Sequence, residues 1–350
     1  VPGGVTILPR ERRQGDANPM AKLGDRLTPR DALLHEPLYR DPTWLESNWF
    51  SFLIPEHNIR GHCIAYFRTN IGVVMSLIQV WSRDSLTLLD LDYWDQQVHL
   101  PLPPCNLDDY RLANGLAVKM GEPLQHYSLS YDGFADTHFR LEFEGLMPAV
   151  DSRETQLPTG RDFSHFHKVD PRMATNIGHI DQTLAVSGEV TIRGKTYSVD
   201  FPSNRDHSWS PRPEKAHGRG YFDEGYFGNG EFCFHVQTLN EQADEAEVTN
   251  GYIIDHGELL ALKAGVGRYT MDGWLTRRLE YEVEDERGRT HRFVGEPTAI
   301  TVLQTWPNQY NIGAIVKWAY EGEEGWGEYK WHWEVTDMVT AQNLARAATA

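Results

Sequence analysis

From Trp44 onward the chain alternates. In "HFRLEFEGLMP", His138, Arg140, Glu142 and Glu144 fall on one side of an extended chain and Phe139, Leu141 and Phe143 on the other, the period of a half-buried strand. "HYSLSYDG" repeats the pattern, and "NWFSFLI", "HCIAYFRTN" and "GVVMSLIQVW" carry the β-branched and aromatic content of strands. The second half continues in the same way. "HIDQTLAVSGEVTIRGKTYSVDF" reads as strand, "RGK" turn, strand, and it is followed by "EFCFHVQTLN", "VTNGYIIDHGELLAL", "RRLEYEVEDERGRTHRFVG", "AITVLQTW" and "GAIVKWAY". The last such run, "WGEYKWHWEV", crowds Trp326, Tyr329, Trp331 and Trp333 together, a stripe that reads as core. Asp-Gly, Arg-Gly and Glu-Gly dipeptides divide the runs at hairpin spacing.

Helical periodicity is confined to the ends, where "TAQNLARAA" reads as a closing helix and residues 1–43 as an irregular, proline-bearing arm with one short helix. The pattern predicts an all-β protein, too long for one small barrel: two antiparallel β-barrel or sandwich halves with short terminal helices. Residues 148–178 lack periodicity and carry proline and charge, which places the expected units at 1–43, 44–160 and 161–350.

Composition narrows what such a fold can do. The 350 residues include 11 Trp, 15 Tyr and 14 Phe, side chains that serve sheet cores and apolar pockets alike. Fifty acidic against 33 basic residues give a net charge of -17, which disfavours nucleic acid and anionic membranes as partners and otherwise serves solubility. Cys63, Cys105 and Cys233 share no metal or redox spacing, and three scattered cysteines suit a reducing, cytoplasmic setting. No long apolar run predicts a membrane span. The chain begins Val-Pro-Gly-Gly, so a missing export signal carries little weight for location. "GVGRYTMDG" sits among strands as a turn, and GxSxG, HExxH and EF-hand patterns do not occur. These readings point to a hydrophobic small molecule as partner, with no nucleotide or other cofactor expected and a homodimer possible.

Four stretches carry candidate chemistry. In "FPSNRDHSWSPRP", an extended backbone puts Arg205, His207 and Trp209 on one face and Asp206 and Ser208 on the other. His207 can act in acid–base chemistry with Trp209 as a pocket wall, and Asp206 faces backbone or Arg212; the competing reading is an Arg–Asp clamp between the halves. "HFHKVD" places His165 and His167 two apart, a metal-ligand spacing that His179, Asp181 or His207 could complete, weighed against pocket-edge histidines. "GRGYFDEGYFGNGEFCFHV" holds Tyr221, Asp223, Glu224, Tyr226 and His235, where a tyrosine near a carboxylate can donate to a substrate oxygen. Glu46, in "WLESNWFSF", is the fourth; a lone carboxylate there is more often exposed than catalytic.

"ESNWFSFLIPEHNIRGHCIAYFR", "EPLQHYSLSYDG", "HIDQTLAVSGEVTIRGKTYSVDFPSNRDHSWSPR" and "GYIIDHGELL" together resemble a bacterial superfamily of duplicated lipocalin-like proteins. It is related to carotenoid 1,2-hydratase (hydroxyneurosporene synthase) and to fungal lipocalin-like cyclases. The sharpest mark is the RDHSW-type signature, with Arg205, Asp206, His207 and Trp209 unbroken and Ser210 in place of the expected glycine. The resemblance implies two lipocalin-like halves with a deep apolar cavity near their junction. It also implies proton transfer to a double bond by His207 and Trp209 with a downstream Tyr and Asp, for which Tyr221 and Asp223 are positional matches only. The expected function is a cofactor-independent lyase acting on an aromatic, lignin-derived or isoprenoid molecule. It would add or eliminate water or release a small carbonyl such as formaldehyde. His207, Asp206, Tyr221, Asp223 and Tyr226 are the catalytic candidates, and Arg205, Trp209, Arg212, Glu46, His165 and His167 line the substrate. An isomerase or cyclase, and a non-catalytic carrier of hydrophobic ligands, are the rival readings.

Overall fold

A computed structural model describes residues 22–37, 41–159, 177–212, 220–239, 244–306 and 309–349. Twelve strands form the first sheet: β1 (Trp44–Ile54), β2 (Ile59–Arg68), β3 (Val73–Trp81), β4 (Tyr93–Pro101), β5 (Asp109–Arg111), β6 (Ala117–Met120), β7 (His126–Asp132), β8 (His138–Gly145), β9 (Val150–Asp151), β10 (Gly178–Ile192), β11 (Lys195–Asp200) and β12 (Ser203–Pro211). Eight more close into an antiparallel barrel: β13 (Gly220–Phe227), β14 (Phe232–Leu239), β15 (Glu245–Asp255), β16 (Glu258–Asp272), β17 (Leu275–Asp285), β18 (Thr290–Trp306), β19 (Gln309–Tyr320) and β20 (Glu323–Glu334). A helix, α1 (Val335–Thr349), ends the described chain. No helix among the described residues is long and apolar enough to cross a membrane.

The barrel pairs its strands in chain order, with β20 returning to β13. The first sheet does not. It runs β4-β3-β2-β1-β12-β10-β8-β7-β6-β5, with β9 and β11 also on β10. This half is therefore stitched by the long-range β1–β12 ladder, and sheet membership divides the chain between Pro211 and Gly220. The aperiodic stretch at 148–178 precedes β10–β12, which belong to the first sheet. Hairpin turns follow local chemistry. Arg193-Gly194 joins β10 to β11 and Glu321-Gly322 joins β19 to β20, each with two positive φ angles, the twist-matched turn that glycine permits at its second position.

Alternation sorts the side chains into three compartments. On β8, Phe139, Leu141 and Phe143 are buried and His138, Arg140, Glu142 and Glu144 exposed, as the pattern predicts. With Phe50, Phe52, Tyr127 and Val186 they fill the concave side of the first sheet. Tyr221, Phe234, Tyr329, Trp331 and Trp333 fill the barrel, while Trp326 on the opposite face of β20 packs outside it. The back of the first sheet lies against the barrel's outer wall, through Leu53, Trp81 and Ile315 and through Val150, Tyr226 and Tyr252. This stacking explains why every residue of β1 is buried: it has protein on both faces.

Candidate active site

The β1–β12 register sets the candidate residues. His207 lies opposite Asn48, Trp209 opposite Glu46, and Arg205 opposite Phe50, so all six share the concave face. His207 Nε2 is 2.6 Å from Glu46 Oε1, and both side chains are 0 % exposed. The arm delivers a third group. A short helical turn at Pro29–Ala32 is held by Asp31, whose carboxylate accepts from the Thr28 backbone N–H at 2.8 Å and its hydroxyl at 2.7 Å. Four residues on, His35 donates its backbone N–H to Glu46 Oε2 at 2.9 Å and places Nδ1 2.8 Å from Oε1. Its ring stacks on Trp209, with centroids 3.6 Å apart and planes at 8°. Ala32 and Leu27 from the same arm pack with Trp44, Leu124 and Trp209 over this end of the sheet.

The electrostatics follow from this packing. Burial alone would raise the Glu46 carboxyl, but hydrogen bonds from His207 and His35 outweigh it and hold the pKa below the usual glutamate value. Burial lowers the His207 pKa, and the bond to Glu46 only partly offsets it. An ionised Glu46 beside a neutral His207 fixes the tautomer: Nε2 carries the proton donated to Glu46, and Nδ1 carries the lone pair. That Nδ1 is buried with no partner among the described residues.

Arg205 is the second anomaly. It is 1 % exposed, lies over the rings of Tyr127 (4.5 Å) and Phe50 (5.7 Å), and no carboxylate among the described residues pairs with it. Its Nε and Nη1 lack hydrogen-bond partners, as does Asn48 Oδ1 nearby on β1. A buried guanidinium is ordinarily paired, because leaving water without a counter-charge costs several kcal/mol. Here a cation, an amide oxygen and an imidazole lone pair stand unsatisfied in the buried interior of the first half.

The other predicted residues face elsewhere. Asp206 and Ser208 lie on the back of the sheet, where Ser47 Oγ is 3.3 Å from Asp206 Oδ1 and Arg212 donates to Ser208 Oγ at 2.6 Å. Tyr221 and Asp223 point into the barrel. Tyr221 stacks between Tyr269 (4.0 Å) and Trp331 (4.7 Å), and Asp223 accepts from Tyr281, which is 2.9 Å from Tyr269. Burial raises the Asp223 pKa well above the usual aspartate value. Tyr226 is on the barrel's outer wall, against Glu224 and Arg60. The structure thus brings together Glu46, Arg205, His207 and Trp209 and sets Tyr221, Asp223 and Tyr226 in other compartments. His165 and His167 lie outside the described residues.

Sequence reading missed His35, Asn48 and the pairing of Glu46 with His207. These partners are long-range, His207 and Glu46 standing 161 positions apart, and no local spacing marks them. For metal binding, the atoms that converge are His35 Nδ1, Glu46 Oε1 and His207 Nε2, all within 4.8 Å of one another. Two imidazoles and a carboxylate suit zinc or iron; as they stand, both imidazoles bond one oxygen, as in a carboxylate that shares protons between two histidines. A groove of about 300 Å³ lined by Arg111, Lys119, Ser128, Arg140 and Glu142 lies on the solvent side of β5–β8, across the sheet from these groups.

The chain belongs to the family described as a domain of unknown function (DUF7064), whose profile matches residues 28–335. No curated protein shows significant similarity to it. Among solved structures, it is similar to a Nitrosomonas europaea protein provisionally named AttH, with a TM-score of 0.55 and 11% identity over 82% of this chain and 91% of that one. It also aligns with kievitone hydratase from Nectria haematococca, with a TM-score of 0.46 and 11% identity over 85% of this chain and 92% of that one. At 11% identity the likeness to the Nitrosomonas europaea protein is one of fold, and it extends over both halves.

Proposed function

We propose that this protein is a cofactor-independent lyase of the hydratase or carbon–carbon lyase type, acting on a hydrophobic, oxygen-bearing small molecule inside the first half. The observation that carries this reading is the unpaired, buried Arg205 on the same face as the His207–Glu46 pair. Such a cation is suited to the oxygen of a substrate in which negative charge develops. In the reading, His207 Nδ1 takes a proton from the carbon beside a carbonyl group, and the electron pair passes to the carbonyl oxygen, which Arg205 and its neighbours stabilise. Collapse of that enolate expels a β-hydroxyl, which leaves as water with the proton returned by His207. Hydration is the reverse. Release of a small carbonyl breaks a carbon–carbon bond instead, with His207 taking the hydroxyl proton of the departing group and returning it to carbon. Glu46 stabilises the imidazolium formed in either case, and Trp209 and His35 wall the site. The RDHSW signature and its resemblance to carotenoid 1,2-hydratase support proton transfer by His207 and the gain or loss of water; the carbonyl group and the role of Arg205 rest on the buried cation alone. Tyr221, Asp223 and Tyr226 take no part in it.

The test is product mass. Incubation with aromatic and isoprenoid β-hydroxy carbonyl compounds should give products differing by one water or one small carbonyl. His207→Ala should lower turnover by about 10²–10⁴-fold while the protein still unfolds cooperatively, its stability reduced by about 1–3 kcal/mol because the buried Glu46 loses a donor. Products of unchanged mass would sink the lyase and favour an isomerase or cyclase; ligand recovered intact from every incubation would favour a carrier. Activity should survive a strong chelator, whereas its loss would reassign His35, Glu46 and His207 as metal ligands.

A further inference from the structure

One polar pair on the concave face of the first sheet has no part in the proton transfer. Asn48 lies opposite His207 on β12 and opposite Ala65 on β2, and it is 1 % exposed. Its Nδ2 donates to the hydroxyl of Tyr110, the central residue of β5, at 3.4 Å, a long hydrogen bond. Its Oδ1 receives nothing. Tyr110 is equally buried, and its hydroxyl, having accepted from Asn48, carries a proton with no acceptor among the described residues.

Packing does not require these polar atoms. The Tyr110 ring meets Phe67 edge-on at 5.2 Å, a contact that phenylalanine would make as well. Leucine would fill the place of Asn48 without burying an amide, and an unserved polar group costs free energy that an apolar residue of the same shape avoids. Turning the amide over only moves the deficit from Oδ1 to Nδ2. Burial raises the pKa of Tyr110 more than the bond from Asn48 and the charge of Arg205 lower it, so the phenol keeps its proton.

The pair therefore offers one donor, the Tyr110 O–H, and one acceptor, Asn48 Oδ1. A carbonyl or carboxylate oxygen only accepts, and an ammonium only donates; a hydroxyl does both through one atom. It completes the pair in either orientation of the amide. Position adds to this. Cross-strand neighbours such as Asn48 and His207 have Cβ atoms about 5 Å apart, and Tyr110 lies within range of the charge on Arg205. A hydroxyl held here stands beside both the cation and the imidazole lone pair, as the β-hydroxyl of a carbonyl compound stands beside its carbonyl oxygen and α-hydrogen.

We propose that Asn48 and Tyr110 select the substrate by binding its β-hydroxyl, which donates to Asn48 Oδ1 and accepts from Tyr110. This rests on the reading of the His207 site given above and adds the residues that make it specific for β-hydroxy carbonyl compounds over their deoxy analogues. Both residues bind the hydroxyl, and neither exchanges a proton with carbon.

Calorimetric titration tests this in a His207→Ala background, which removes the base so that ligands are bound without conversion. β-Hydroxypropiophenone should bind more tightly than propiophenone by about tenfold or more. Adding Asn48→Leu should bring the two affinities within about twofold, and Tyr110→Phe should reduce their ratio by about threefold or more. Adding Arg205→Met should weaken both compounds and leave the ratio standing. Melting curves check that each variant folds, and Tyr110→Phe deletes a single oxygen while keeping the ring in place. A full ratio retained in both Asn48→Leu and Tyr110→Phe, as when the pair holds only a buried water, overturns the inference. Equal binding of the two compounds before either substitution also overturns it. Both results leave proton transfer by His207 intact, because hydrogen exchange at carbon reads that step separately. Binding of neither compound would overturn the β-hydroxy carbonyl reading and this inference with it.

Discussion

Arg205 and His207 hold unsatisfied buried nitrogens on one face of the first sheet, and this gives them opposite signatures for activity and stability. If Arg205 serves a substrate rather than the fold, Arg205→Met removes an unpaired charge. Stability to urea should be unchanged or raised by up to about 2 kcal/mol, while turnover falls. A brace would show the reverse. His207 contributes to the acid side of the stability curve. Because its folded pKa lies below the ordinary 6.5, its contribution is present above that value and is lost as pH falls, when the unfolded chain takes up the proton more readily. Denaturation of His207→Phe, followed between about pH 7 and pH 5, should show a shallower loss than wild type. At this scale the sequence was partly legible. Strand alternation separates Arg205, His207 and Trp209 from Asp206 and Ser208, and the β1–β12 register bears that split out. It says nothing of which distant carboxylate would face His207: Glu46 reads there as a substrate-lining candidate of a kind more often exposed than catalytic, and it is fully buried.

At the scale of elements, the arm and β10 do more than their sequences suggest. The turn at Pro29–Ala32 has a recognisable start in Thr28, Pro29 and Asp31, yet its consequence, two of the hydrogen bonds to Glu46, depends on where the arm docks. His35→Ala should cost about 1–3 kcal/mol, measured by urea unfolding, because it deletes a ring stacked on Trp209 and leaves a buried carboxylate short of a donor. On β10, burial works to lower the His179 pKa, but Asp181 overcomes it and the value is raised. Its contribution is therefore full below about pH 6.5 and is lost as pH rises through the raised value, so His179→Gln should flatten the alkaline side of the melting profile. The strands themselves, and hairpins such as Arg193-Gly194, are legible because period and turn chemistry are local. The order of strands in the first sheet is not: β12 pairs with β1 across most of that half, a contact set by shape and burial.

Across the whole molecule, the two halves are joined by a seam with charge at its centre and apolar contacts around it. Arg60 touches both Glu224 and Glu328. Arg60→Met should destabilise the protein by about 3–5 kcal/mol, since it leaves two carboxylates buried without their cation, and calorimetry should show the single unfolding transition broadening or dividing in two. The acidity that reads as solubility in the composition is thus partly structural, with several carboxylates enclosed where only three-dimensional pairing explains them. The all-β, two-half architecture follows from alternation alone. The division of labour between concave interior, seam and barrel does not, because side chains of neighbouring residues such as Asp223 and Glu224 pass to opposite sides of one wall.

The central claim is that His207 moves a proton to or from substrate carbon. Turnover in deuterium oxide, read by mass spectrometry of recovered substrate and product, tests it most directly. Wild-type protein should place one deuterium on the carbon beside the carbonyl, and His207→Ala should place none above the uncatalysed background. Exchange by His207→Ala at the wild-type rate would contradict the account.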